Sequence, residues 1–202
     1  MKREQGKLIL ITLSAALSAV LQFAPDLFIY FRELMPSQPW RFLTAHWVHV
    51  GWMHYLLNMI AFICFPFIFH HIRARVLLLI IVVVPILISL AFYYGFPQIE
   101  AYAGFSGVLH GLYAVAALLS LRFTRERWFA GLILLGLTAK LLWEATVGEL
   151  SATMRMIGSP ILIEAHQLGV LMSLLVLALI LVWNKLCPKW ALALFYTFQK
   201  PK

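Results

Sequence analysis

Six stretches of this chain carry little or no charge and approach or exceed the length needed to cross a bilayer: Leu8 to Ala24, Met53 to Phe69, Val76 to Phe96, Ala101 to Leu121, Trp128 to Trp143 and Ala165 to Trp183. A hydrocarbon layer about 30 Å thick takes roughly 17–25 residues of helix. Backbone polar groups in lipid must be paired within their own segment, so helices are expected; the alternating polarity of a membrane barrel is missing from all six runs. Hydrophobic residues are 63% of the 202, against roughly 45–50% in a soluble domain. The mean hydropathy is +0.90, and no soluble core of this size could hide six such runs. The expected fold is all-α: one polytopic membrane domain over residues 1–202, with spans at about 8–24, 53–69, 76–96, 101–121, 128–143 and 165–183. Lys140 interrupts the fifth, the weakest, although a lysine near a helix end can snorkel to the interface. Pro85 is expected to kink the third. The first run is long for a signal peptide, whose apolar core is roughly 7–15 residues, and is read as a retained helix.

Positive charge sorts the loops. Lys2, Arg3, Lys7, Arg73, Arg75, Arg122, Arg125, Arg127, Lys185, Lys189, Lys200 and Lys202 fall on one side, against Arg32, Arg41 and Arg155 on the other. By the positive-inside rule both termini are expected in the cytoplasm. Asp26, Glu33, Glu100, Glu144, Glu149 and Glu164 fall on the outer side, so the formal charge of +8 belongs almost wholly to the cytoplasmic face. That pattern speaks for topology and against nucleic acid as a partner. The tryptophans lie in loops or near span ends, as interfacial anchors do. The connection from Pro25 to Trp52, rich in Trp, Phe and His, is too interrupted to span and is expected to be a partly helical interfacial loop. His46 and His49 within it are read as surface residues, and His70 and His71 as part of the cytoplasmic basic boundary. Residues 184–202 are expected to form a cytoplasmic tail whose short apolar centre lies on the membrane. Cys64 and Cys187 are too differently placed to suggest a disulfide.

Inside the spans, His54, Asn58, Ser106, His110 and His166 need explaining, because polar and ionisable side chains at that depth are costly. Counted from the cytoplasmic charges at 1.5 Å per residue, Asn58, Ser106 and His166 lie roughly 22, 24 and 28 Å up. Three helices distant in sequence thus bring an amide, a hydroxyl and an imidazole to one level near the outer surface. His54 and Asn58 share one helix face by their i,i+4 spacing, as do Ser106 and His110. Gly104, Gly107, Gly111 and Ala114 form a stripe almost without side chains, and Gly169 and Ser173 make the sixth span small as well. Packing along these stripes would let the fourth and sixth spans approach closely enough for Ser106 to reach His166. Singly, each residue has a structural explanation: a serine bonding back to a carbonyl, a histidine satisfied in packing.

Three segments taken together resemble the rhomboid family of intramembrane serine proteases, over roughly Trp40 to Trp183. "WRFLTAHWVHVGWMHYLLNM" is similar to the family's Trp-Arg loop followed by His-x-x-x-Asn, "GFSGVLHGL" to its Gly-x-Ser-Gly, and "AHQLG" to the Ala-His-x-x-Gly of its last span. The resemblance implies a six-helix rhomboid-like bundle and a catalytic pair of Ser106 and His166. It also implies His54, Asn58 and the Ser106 N–H as oxyanion stabilisers, with no metal and no organic cofactor. Many rhomboids carry a tyrosine four residues after the serine, where this chain has His110, and a glycine seven after the histidine, where it has Ser173. The histidine-containing "SGVLHG" and the minimal length resemble the rhombosortase branch. That likeness implies a bacterial inner-membrane enzyme acting on exported proteins with a C-terminal Gly-Gly motif, one membrane helix and a basic end.

As chemistry, Ser106 needs a base within about 2.6–3.2 Å, and His166 fills that role. His110, on the same helix as the serine, is read as supporting, as are Gly104, Gly107, Gly111 and Gly169. No carboxylate is expected on the imidazole, since Glu164, two residues away, faces elsewhere on its helix; this leaves a dyad. The aromatic loop before His54 is expected to rim or cover the water-filled site. The expected partners are membrane-spanning protein substrates and the bilayer itself. Two other readings are a non-catalytic rhomboid-like protein that binds membrane helices, and a protein in which His54, His110 and His166 hold haem or a transition metal. The latter leaves Ser106 and its glycine setting without a role.

Overall fold

The computed structural model describes residues 2–148 and 151–186. From α1 (Lys2–Leu21) the chain passes through two 3-10 turns, Pro25–Leu27 and Arg32–Leu34, which flank β1 (Tyr30–Phe31), and then forms α2 (Arg41–Thr44). There follow α3 (Trp52–Ile68), α4 (Ala74–Gly95), β2 (Ala101–Tyr102), α5 (Ser106–Ser120), α6 (Arg127–Thr146), α7 (Ser151–Ile157) and α8 (Ile163–Leu186). By length and composition, α4, α6 and the segment Ile163–Trp183 of α8 can cross a membrane; Gln5–Leu21, α3 and α5 are apolar helices of at most 17 residues. Leu13, Phe67, Leu132, Leu135 and Leu179, on four different helices, are exposed. Such a belt exceeds the scattered apolar exposure of a soluble surface and is what lipid would cover. Cys64 is unpaired and exposed; α8 takes in the first three residues of the expected tail, 184–186, while Cys187 and the rest of that tail lie outside the described residues.

The middle of the bundle is apolar and closely packed. Phe62 and Phe65 of α3, Leu77, Val84, Ile88 and Phe92 of α4, and Val108, Leu112 and Ala117 of α5 are fully buried. α4 runs on through Pro85 and α3 through Pro66. Against this core, α6 buries only Ala130 and Glu144. Lys7 is buried too, its ammonium donating to the carbonyls of His70 (2.6 Å) and Phe69 (3.4 Å) just past the C-terminus of α3, where a cation satisfies exposed carbonyls and the helix dipole together.

α5 and α8 cross where their small residues meet. A methyl group at Gly169 would overlap the backbone of Gly107; at Gly107 it would overlap the carbonyl of Ala165, and at Gly111 the Ser173 side chain. Glycine at these positions is what allows backbone to touch backbone, the usual means of tight association between membrane helices.

Three features differ from the sequence expectation. The helix of the fourth apolar run starts at Ser106 rather than Ala101, because Ala101 and Tyr102 pair antiparallel with Phe31 and Tyr30 and Gly104 has φ +142°, a backbone state that excludes helix and favours glycine. The loop from Pro25 to Trp52 is partly helical, but it is also packed into the bundle. The Arg41 guanidinium donates to Asp26 O (2.9 Å) and Gln38 Oε1 (2.7 Å), Ser18 Oγ donates to Trp47 O (2.5 Å), and the Gln22 amide brackets the backbone of His49 (2.7 and 2.8 Å). Lastly, the connection between α6 and α8 contains α7, which no apolar periodicity announces.

Candidate active site

Ser106 opens α5, and the residues before it hold it in place. Phe105 is fully buried between the rings of Trp47 (centroids 4.5 Å apart) and Phe62 (5.0 Å). The Gly104 N–H donates to Ala45 O (3.1 Å), and the Tyr102 hydroxyl donates to Gly104 O (2.6 Å). A Cβ at position 104 would lie 2.7 Å from Cε1 of His54, so close approach and positive φ both call for glycine there. Because Ser106 begins the helix, the N–H groups of its first turn have no intrahelical acceptor, and the helix dipole adds partial positive charge at that end.

From α8, Nε2 of His166 lies 2.9 Å from Ser106 Oγ, although the two residues are 60 apart in sequence. His166 is 2% exposed. The ring of His110 stacks on it with centroids 4.0 Å apart and planes at 17°. Nδ1 of His110 is 2.7 Å from the carbonyl of Ser106; that oxygen can only accept, so Nδ1 carries the proton. The stacking gives His110 a physical task, holding one face of the His166 imidazole while tied to the backbone of the serine. The face-to-face arrangement also turns the nitrogens of the two rings away from any shared metal ion, which a ligand pair would have to converge upon.

The second nitrogen of His166 is engaged as well. Nδ1 lies 2.9 Å from Oε2 of Glu144, and the other carboxylate oxygen pairs with the Lys140 ammonium one turn earlier on α6. The expectation of an imidazole without a carboxylate is thus corrected. The sequence suggests an outer-loop acid at Glu144 because the fifth apolar run ends at Trp143, whereas α6 continues to Thr146 and turns Glu144 inward, with its side chain 3% exposed. One signal was present in the sequence. Counted from Arg127, Glu144 lies roughly 26 Å up, the same level as Ser106, and its i,i+4 spacing from Lys140 marks a paired acid.

These groups line a cavity of about 850 Å³, bounded by α3, α5, α6, α7 and α8. Asn58 and His54 enter it from α3. The Asn58 amide donates to His54 O (2.9 Å), which leaves its second N–H for another acceptor. Thr153 and Ile157 of α7, with Ile161 beyond it, form part of the wall, and no residue of the aromatic loop before Trp52 does. The expected rim or lid from that loop is therefore replaced by the segment around α7.

His46 and His49 are both fully buried rather than on the surface. Nε2 of His46 is 3.0 Å from Ser89 Oγ, and the His49 ring meets that of His54 edge-on, centroids 5.0 Å apart. Burial pushes both imidazoles down to about 3, since low dielectric penalises the charged form. Among the described residues, His70, His71 and Glu126 offer ligand atoms within 4.8 Å of one another. They lie at the other ends of α3, α5 and α6 from Ser106 and take no part in the cavity.

The Rhomboid domain family model matches residues 36–183, well over half the chain. No curated protein and no solved structure matches it.

Proposed function

The chain belongs to the rhomboid family, typically intramembrane serine proteases, and from that premise we propose that it is an active endopeptidase in which Ser106 is the nucleophile and His166 the base. The observation that carries this reading is the 2.9 Å contact between Ser106 Oγ and His166 Nε2 within a cavity large enough for a peptide segment. The Ser106 hydroxyl attacks the scissile carbonyl carbon while its proton passes to Nε2. The tetrahedral oxyanion forms beside the N-terminus of α5, where the Ser106 N–H, the remaining Asn58 N–H and His54 are its stabilisers. One preorganised donor of that kind lowers such a barrier by roughly 2.7–4 kcal/mol. Collapse expels the amine, which takes the proton back from Nε2, and water then attacks the acyl group on Ser106 with His166 again as base.

In this reading all six apolar helices cross the inner membrane of a bacterium. Both termini are cytoplasmic, and the cavity opens to the outer side. The substrates are membrane-anchoring helices of exported proteins. A helix must unwind locally to expose a backbone carbonyl, so glycine near the outer boundary favours cleavage, in keeping with C-terminal Gly-Gly tails of the rhombosortase type. No metal or organic cofactor enters these steps.

The test compares, by mass spectrometry, the C-termini of exported proteins in cells carrying the wild-type chain, Ser106→Ala or His166→Ala. Loss of processing in both variants, with normal membrane accumulation, is expected. Wild-type processing by either one would remove the Ser106–His166 pair from the mechanism.

A further inference from the structure

Glu144 stands out among the buried polar groups. Its side chain is 3% exposed on the least buried of the three helices long and apolar enough to cross a membrane, and its two oxygens have different partners, Lys140 on one and Nδ1 of His166 on the other. A simple i,i+4 ion pair would satisfy one oxygen and leave the second bare, at a cost in a low-dielectric site. We propose that Glu144 is a positioning residue that turns the Ser106–His166 pair into a Ser-His-Glu triad, with Lys140 as its counter-ion. The inference rests on the protease reading and extends it by one residue.

The argument is one of tautomers. A neutral imidazole carries one N–H, and it can serve Ser106 as a base only when Nε2 is bare and Nδ1 holds the proton. A carboxylate accepts and cannot donate, so Oε2 at 2.9 Å from Nδ1 selects that tautomer. When Nε2 takes the hydroxyl proton, the resulting imidazolium has its positive charge beside the carboxylate. The proton taken from Ser106 stays on Nε2 until the leaving amine claims it; the Nδ1 proton never leaves the ring, and Glu144 is not protonated. Lys140 Nζ lies 3.5 Å from Nδ1 and offers donors alone, so it cannot replace the acceptor. With His110 stacked on one face of the ring, the edge contact to Glu144 completes the restraint on its orientation.

This arrangement makes a specific prediction for Glu144→Gln, which keeps the size of the side chain. Lys140 will claim the amide oxygen, turning the NH₂ toward Nδ1, and the imidazole will be driven to the Nε2–H tautomer that cannot act as base. Adding Lys140→Met removes that competitor, and the amide oxygen can then face Nδ1. The probe is labelling of Ser106 by a fluorophosphonate in the detergent-solubilised full chain, read as maximal rate and half-saturating concentration. Glu144→Gln is expected to lower the maximal rate on the order of 10²- to 10⁴-fold, with the half-saturating concentration within about threefold. The Lys140→Met, Glu144→Gln double variant should recover at least about tenfold, whereas a merely structural tie between α6 and α8 would leave it no better than the single variant.

A second readout needs no variant at Glu144. Nitrogen-15 histidine spectra of the wild-type chain, with His166 assigned by its loss in His166→Asn, should show Nδ1 protonated and Nε2 bare. An Nε2–H tautomer in the wild type, an undiminished maximal rate in Glu144→Gln, or no recovery in the double variant would each overturn the proposal. An unlabelled wild type, or labelling that survives in Ser106→Ala, would bring down the protease reading itself. Ser106-dependent labelling that Glu144→Gln leaves unchanged would bring down this inference alone.

Discussion

Gly169→Ala tests the link between helix packing and chemistry with a single methyl group. The added Cβ would lie 2.5 Å from the carbonyl carbon of Gly107, where ordinary contacts are 3.4–4 Å. Backbone cannot rotate aside as a flexible side chain could, so α8 must withdraw from α5 by about 0.9 Å or more to restore contact. His166 lies one turn earlier on the same face of α8 and moves with it. Its Nε2, now 2.9 Å from Ser106 Oγ, would reach about 3.8 Å or more, beyond hydrogen-bond range. A misplacement of about 1 Å costs on the order of 10²-fold in rate, and the overpacking itself costs about 1–3 kcal/mol of stability. The assay is the fluorophosphonate labelling rate of purified Gly169→Ala beside the wild type, with thermal midpoints to show that both are folded. A folded variant labelled within threefold of the wild-type rate would refute the claim that this crossing sets the distance between nucleophile and base.

Three further outcomes follow. Asn58→Ala should lower the maximal cleavage rate on the order of 10²- to 10³-fold, as loss of an oxyanion donor does, with little change in half-saturating substrate concentration; equal loss in both would mean that Asn58 binds substrate instead. His110→Ala should slow labelling of Ser106 by about 2- to 10-fold, since a stacked aromatic pair contributes about 0.5–1.5 kcal/mol, while His110→Phe, which keeps the face, should lie nearer the wild type. His46 and His49, held down to about 3 by burial against an ordinary 6.5, must stay neutral in the fold. Between those values the unfolded chain binds more protons, so their share of stability is full above pH 6.5 and lost as pH falls toward 3, about 2–3 kcal/mol each by pH 4.5. The thermal midpoint should therefore drop between pH 7 and 4.5, and drop less in His46→Gln.

What the sequence makes legible here depends on how local the cause is. The apolar runs place the helices within a few residues, because lipid forces each span to satisfy its own backbone. The glycine spacings of α5 and α8 point to their crossing, and shared depth singles out Asn58, Ser106 and His166. Glu144 escaped because its partner is 22 residues away and its burial depends on how far α6 continues past Trp143. The burial of His46 and His49 is hidden for a related reason. An aromatic, polar loop reads as surface until Arg41, Ser18 and Gln22 are seen to satisfy its backbone from within. The pairing of β1 with β2, two residues long and about seventy positions apart in the chain, has no periodic signature to find.

The shortness of α5 has a consequence for the products. Fifteen residues rise about 22 Å, roughly 8 Å less than the hydrocarbon thickness. With α5 as a span, Ala103, Gly104 and Phe105 make up the missing length, irregular backbone that is tolerated at such depth when it is sheathed in protein, as these three residues are. In the protease proposed above, a nucleophile on the first residue of that helix works as a ruler. There it would meet an incoming helix about five residues below the outer boundary, so the severed anchor would keep most of its apolar length in the bilayer while the released portion would leave with only a short greasy stub.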